Sequence, residues 1–592
     1  MPASMPATVC LLLLVSNNSS PPFIIMYRQL IVIALSGLAL TCCEPTERTA
    51  ITKKEDKKQP TEQSVQDAAA ATTSVEQPGT AEPSAPEVTE PAVTAPTGQE
   101  PTVTPADTPQ PTPADASDAE QPADKTADAA ASQLSVALTV QDYNRVMPWE
   151  KQSASSTRLN GVYLGDGKVL TLGSSLASAN YVEISLPDAS RTVPARVLRY
   201  DSDLNLGLLV VDNEEDATIF ETRSALAVGA AMDKDAKAEL WCTLNGTQPA
   251  AIALQGEIGT TDRGLPRLQM RTDQAVPGNY SHGAPVVADG KLVGISAGYN
   301  SAARQLKVIN AELISRFLNA DAAAPKGVPV MGVSMAELTD PVFRRYLKLS
   351  DDRTGIYVSN VQPTGAAAAA GLKKGDVLTS IEGLKIDNRG RCNLPRYGMV
   401  DVATVARYLK PLGETLKITY CRDGQEFEAE MQLNRDAEEK ALIRTEANGA
   451  APRYLVWGGL VFQPLTTNYL EALKTEAKAL PIEFMKLEDR EEELQQRGFR
   501  ELTALTIVVP TKATMGYDSC NFAMVEKVNG AEPHSFEEFV SLLKAPTESG
   551  MVEIDINKPP YRIYMESAAA EAANDELRRA GIIKLQRLTE QD

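Results

Sequence analysis

A chain of 592 residues is too long to fold around one core, and about 150 residues per domain predicts three or four domains. Its 58 basic residues against 78 acidic ones leave a net charge of −20, which argues against a nucleic-acid binder. The only histidines are His282 and His534, and the seven cysteines form no CxxC pair, so neither a metal site nor a cofactor is expected.

The N-terminal stretch reads as a targeting segment. From Met26, the better start, "MYRQLIVIALSGLALTCC" places one arginine before an apolar run. That run is shorter than the ~20 apolar residues that cross a bilayer, so residues 1–43 are expected to be a secretory signal. The cysteines that end it resemble a bacterial lipobox, with Cys42 or Cys43 as the lipidated residue, although Thr41 or Cys42 rather than Gly or Ala precedes them. Residues 44–133 hold no aromatic residue, no leucine and one isoleucine, Ile51. Such a segment buries too little apolar surface to offset its ordering entropy, so a disordered acidic tether is expected.

Residues 134–320 change character. "GVYLGDGKVLTL" is a strand, a Gly-Asp-Gly turn and a second strand, and "YVEISL", "TVPARVLRY", "LGLLVVD" and "APVVADGKLVGISAG" continue the pattern. Short antiparallel strands at this spacing predict a mostly β barrel or sandwich. The order of the hairpin, "TLGSSLASANYVEISL", "DSDLNLGLLVVD" and "VPGNYSHGAPVVADGKLVGIS" resembles the HtrA/Deg family of trypsin-like serine proteases. The resemblance implies a trypsin-like double β-barrel, and it also shows what is missing. Where that family has its catalytic histidine, aspartate and serine, this sequence has Ser174, Asn205 and His282. Asp203 and Ser281 are the nearest alternatives. Ser281 is the fallback nucleophile, with Asp273 or a lysine as a base. A serine hydroxyl needs a neighbouring base that a third group orients, and loss of serine or histidine costs on the order of a million-fold in one studied protease. Tyr280 and Ser281 also lengthen the nucleophile turn, which predicts a displaced oxyanion hole.

Residues 328–436 resemble a PDZ domain through "TGIYVSNVQPTGAAAAAGLKKGDVLTSIEG" and the helical "MVDVATVARYLK". The resemblance implies capture of a protein or peptide C-terminus by strand addition, with the carboxylate held by Val330, Met331, Gly332 and Val333. Val402, Val405, Ala406 and Leu409 recur at helical spacing, so they are groove wall, core, or both. The insertion "DNRGRCNLPRYG" and residues 450–570 resemble plant Deg proteases with a second, atypical PDZ domain. No carboxylate loop stands out in that second domain, which points to assembly. Residues 571–592 read as a charged helical tail. By the same resemblance the chain forms a homo-oligomer, a trimer or a multiple of one. The chain thus reads as an exported pseudoprotease, periplasmic or anchored in the envelope, with a chaperone-like or scaffolding role. An active serine endopeptidase and a structural envelope protein with closed PDZ grooves are the alternatives. Cys392 and Cys421 share a PDZ block, and spacing alone does not decide whether they pair.

Overall fold

The computed structural model describes residues 125–592, except 244–248, 277–280, 322–326, 478–479, 488–489 and 590–592. The signal segment, Cys42, Cys43 and the tether up to 124 lie outside the described residues, as does Tyr280 of the nucleophile turn.

The tether expected through 133 ends earlier. Lys125–Ala131 is a helix and the first strand begins at Gln133. Its alanine-rich sequence favours a helix, and small side chains let it approach the barrel closely, with Ala129 fully buried in the core. Low hydrophobicity concealed this, because alanine contributes packing without contributing bulk.

Six strands follow: β1 (Gln133–Val140), β2 (Ser155–Gly165), β3 (Lys168–Thr171), β4 (Ala179–Ser185), β5 (Thr192–Asp201) and β6 (Leu206–Val210). They close into a barrel in the order β1-β2-β3-β6-β5-β4. A second barrel comprises β7 (Lys237–Thr243), β8 (Pro249–Asp262), β9 (Leu265–Arg271), β10 (Pro285–Ala288), β11 (Lys291–Asn300) and β12 (Gln305–Asn310). Its order is β10-β11-β12-β9-β8-β7. The Asp166-Gly167 turn between β2 and β3 has both residues at positive φ, as a tight hairpin connection requires. Inward side chains such as Val136, Leu170, Ile184 and Leu206 fill the first barrel.

The second barrel ends in the helix Ala311–Asn319, capped by Asn310, whose side chain accepts the Ala311 N–H. Beyond it lies an open sheet, β13 (Val333–Ala336), β14 (Ile356–Val361), β15 (Val377–Ile381), β19 (Thr415–Arg422) and β20 (Gln425–Gln432), with β16 (Leu384–Lys385) paired to β15. The insertion is itself a hairpin, β17 (Arg391–Leu394) with β18 (Gly398–Asp401). It leads into the helix Val402–Leu409. Asp376 of the Lys-Lys-Gly-Asp turn is buried. Its carboxylate accepts two bonds from Arg422, each 2.7 Å, and the Lys373 N–H at 2.8 Å. Cys392 and Cys421 are both buried and free, so no disulfide joins them.

The last sheet has the order β26-β25-β24-β23-β22-β21-β27. Its strands are β21 (Tyr454–Trp457), β22 (Leu460–Pro464), β23 (Thr503–Val508), β24 (Ala523–Val528), β25 (Met551–Ile556), β26 (Arg562–Glu566) and β27 (Gln586–Arg587). The helix Phe536–Lys544 presents Phe536, Phe539, Val540 and Leu543 to it, four apolar residues at helical spacing. The expected tail helix is only partly one. Ser567–Arg579 is helical, but Gln586 and Arg587 are extended and pair with Leu455 and Tyr454. Gly581, at φ 110°, ends the helix in a conformation other residues avoid, and the chain turns back to the sheet. Among the described residues no helix is long and apolar enough to cross a membrane.

Candidate functional site

Ser174, Asn205 and His282 come from three separate segments and line one cavity of about 810 Å³ between the barrels. Ser174 follows β3, Asn205 precedes β6, and His282 sits in the turn before β10. Asn205 has φ 59°, a left-handed conformation that asparagine tolerates, and its Oδ1 accepts the Ser174 N–H at 2.9 Å. One residue earlier, the Leu204 carbonyl accepts from the fully buried Arg267 at 3.1 Å. Burial lowers that guanidinium to about 10, so it stays charged at neutral pH. The three positions therefore lie around one cavity. Their chemistry differs: among the described residues the Ser174 hydroxyl makes no hydrogen bond to His282.

The turn is held by a buried residue that carries no motif. Asn160 of β2 donates its backbone N–H and its Nδ2 to the His282 carbonyl, at 2.8 and 3.0 Å. Its Oδ1 accepts from Gln133 Nε2 at 3.1 Å, and Gln133 also donates to the Trp241 carbonyl at 3.1 Å. Gly283 has φ 78°, and a Cβ there would stand 2.5 Å from the Asn160 carbonyl oxygen, so only glycine fits. This frame turns the His282 side chain outward, where it is exposed. Ser281 points the other way and is 0% exposed. As a fallback nucleophile it fails, because a substrate carbonyl cannot approach a buried hydroxyl. Asp203 fails as an alternative acid, because it accepts the Val328 N–H at 3.1 Å and pairs with Arg435. Asp273 lines a different cavity, beside Lys237 and Glu257.

Two arginines that motif reading missed face the same cavity, Arg158 on β2 and Arg263 in the turn between β8 and β9. Neither lies in a recognisable pattern, and only the closed barrels bring them to the triad positions.

In the first open sheet, the loop Val330–Val333 directs two carbonyls inward: Met331 O accepts from Ala367 N and Gly332 O from Gln362 N, both at 2.9 Å. Among the described residues the Met331 and Gly332 N–H groups have no partner. β13 is an edge strand with one side open. The helix beside it divides its residues: Val402 and Val405 are 1% and 0% exposed and belong to the core, while Val330, Val333 and Leu409 are half-buried. Val402 and Val405 are thus not groove-lining; helical spacing marks an apolar face without saying which side of it faces a ligand. The helix's other face rests on the second barrel. Tyr408 donates to Glu312 Oε1 at 3.1 Å, Tyr397 donates to the same oxygen, and Arg407 lies against Gly264.

The last domain docks on the first barrel through the β1–β2 loop. Val146 is 1% exposed, in one apolar cluster with Tyr454, Val456, Ile507 and Leu585. Arg145 pairs with Glu446 at 2.5 Å and donates to the Ala450 carbonyl at 2.8 Å. Gly449 packs so tightly that a Cβ would stand 2.3 Å from the Ala177 carbonyl, three residues beyond Ser174.

Family models for the PDZ domain match residues 329–433 and 443–587. "Putative protease Do-like 3, mitochondrial" of Arabidopsis thaliana is 22% identical over 73% of this chain and 75% of its own length. "Protease Do-like 2, chloroplastic" of the same plant is 25% identical over 74% of this chain and 71% of its own. Among solved structures, "HtrA-type protease AlgW with decapeptide" is 17% identical, covering 53% of this chain and 98% of that one, with a TM-score of 0.39.

Proposed function

From a chain of the HtrA/Deg family, with a trypsin-like double barrel followed by two PDZ domains, we propose a protein that binds polypeptide without cutting it. The observation that carries this reading is the content of the triad positions. Ser174, Asn205 and His282 surround one cavity, and no serine there is both exposed and hydrogen-bonded to an imidazole among the described residues. The relatives' names call them proteases, so an active serine endopeptidase is the reading to beat. Purified full-length chain incubated with unfolded casein and a fluorophosphonate probe is expected to give neither turnover nor labelling. Turnover or labelling that Ser174→Ala or Ser281→Ala removes would overturn the proposal.

The first PDZ domain is the proposed capture site for protein C-termini. Its support is the open edge of β13 beside the Met331 and Gly332 N–H groups. Burial of Val402 and Val405 favours the other reading, a structural protein with a closed groove. Peptides with free and amidated C-termini separate the two: capture requires binding that amidation abolishes.

Export belongs to the same proposal, supported by the apolar run after Met26 and the paired cysteines. Lipid labelling lost on replacing Cys42 and Cys43 together is the expected result in a bacterial host. Assembly into a homo-oligomer is tested by light scattering of the intact chain.

A further inference from the structure

The cavity at the triad positions is cationic in a chain whose net charge is −20. Arg158, Arg263 and His282 line it, with Ser156, Ser174 and Asn205 between them, and no Asp or Glu is among its described lining residues. Both arginines are exposed, and among the described residues neither guanidinium makes an ion pair or a hydrogen bond. Arg145, Arg196, Arg353, Arg391, Arg422 and Arg435, by contrast, all have carboxylate partners. The nearest acids are committed or lie beyond. Asp262 is turned toward Arg267 and Lys307, at 3.9 and 3.7 Å. Asp142 and Glu471 line the adjoining cavity of about 510 Å³, which shares Ser174 and Arg263.

The main chain beside these cations is also open. β2 pairs with β1 from Ser155 to Val162 but meets β3 only from Val162 onward. Strand groups alternate sides, and Tyr163 N–H points to the β1 side, donating to Ser132, while Asn160 N–H points away, to His282. The N–H and C=O of Arg158 and Ser156 therefore face the cavity side, where no strand among the described residues covers them.

We infer that this cavity binds an extended acidic polypeptide segment, whose main chain pairs with the open edge of β2 and whose side-chain carboxylates meet Arg158, Arg263 and His282. Edge pairing supplies sequence-independent affinity and the guanidinium groups select carboxylates, which arginine holds in two-pronged fashion. The inference rests on the non-hydrolytic reading, since only an uncut ligand stays bound.

The test uses the full chain and a fluorescent peptide alternating serine and glutamate, amidated at its C-terminus so that terminal-carboxylate capture is silent. Anisotropy is expected to rise with this peptide and not with its serine–lysine counterpart, and to weaken as salt increases. Arg158→Ala and Arg263→Ala are each expected to weaken binding about tenfold, and the Arg158→Glu/Arg263→Glu double variant to prefer the lysine peptide. Both side chains are exposed, so thermal melts of the variants should match the parent. Equal binding of the two peptides, or indifference to the arginine changes, overturns the inference. Complete displacement by low-millimolar inorganic phosphate overturns it as well, because pairing along β2 would then contribute nothing. Mass spectrometry of the recovered peptide separates the two levels: an intact peptide that fails to bind refutes this inference alone, whereas a cut peptide refutes the non-hydrolytic reading beneath it.

Discussion

Glu312→Ala is the most exacting perturbation of how the first PDZ domain is held against the second barrel. The Glu312 carboxylate oxygen Oε1 accepts from Tyr408 at 3.1 Å and also from Tyr397, which is fully buried. Hydrogen bonds to a charged acceptor contribute about 1.5–3 kcal/mol each, and orphaning a buried donor costs about 1–3 kcal/mol. Two phenols lose their acceptor together, but water entering the space left by the carboxylate recovers part of the loss. The net expectation is a docking interface weaker by about 3 kcal/mol, or roughly a hundredfold in its equilibrium. Hydrogen exchange read by mass spectrometry should show faster exchange in 391–409, the hairpin and helix that bear on the barrel, with the barrel strands unchanged. Glu312→Gln keeps an acceptor oxygen and should lose about half as much. If Glu312→Ala leaves protection of 391–409 as in the parent, the carboxylate does not secure this interface.

Three further expectations concern other parts of the molecule. Gly283→Ala forces a Cβ to 2.5 Å from the Asn160 carbonyl at φ 78°, and should lower stability by about 1–3 kcal/mol in denaturant titration while increasing His282 modification by diethyl pyrocarbonate. Val146→Ala removes two buried carbons from the cluster shared with the last domain, a loss of about 2 kcal/mol that should speed proteolysis in 440–452. Burial pushes the thiol of Cys242 up to about 11 and that of Cys392 up to about 12. Both lie above the ordinary thiol value of about 8.5, so their contribution is intact below that pH and is lost as pH rises toward the folded values. By pH 10 each should cost about 2 kcal/mol of stability, and neither should react with a disulfide reagent at pH 8 until denaturant is added.

The parts legible in the sequence were those whose signal is local. Gly-Asp-Gly in "LGDGKV" marks its hairpin, and the Phe536, Phe539, Val540 and Leu543 spacing marks its helix. Order along the chain was enough to place Ser174, Asn205 and His282 around one cavity, although those residue types are individually uninformative. What could not be read depends on long-range contact. Gln133 looked like tether, yet it braces Asn160 and Trp241, whose partners lie 27 and 108 residues away. Arg158 and Arg263 become neighbours only when both barrels close. Val402 and Val405 share an apolar periodicity with Leu409, and only the sheet beneath them separates core from surface.

The β1–β2 loop has a consequence for how the chain is made. Arg587 donates to the Pro148 carbonyl across 439 positions and stacks over Tyr143 at 4.8 Å, so the first barrel's loop is covered by residues made long after it. During synthesis from the N-terminus Val146, Met147 and Trp149 lack the apolar cover of Tyr454, Val456, Ile507 and Leu585 until those residues have been made. Truncation before Leu585 is therefore a lesion at the first barrel as well, exposing a sticky loop far from the cut. A chain that stops between 450 and 585 should aggregate through its first barrel.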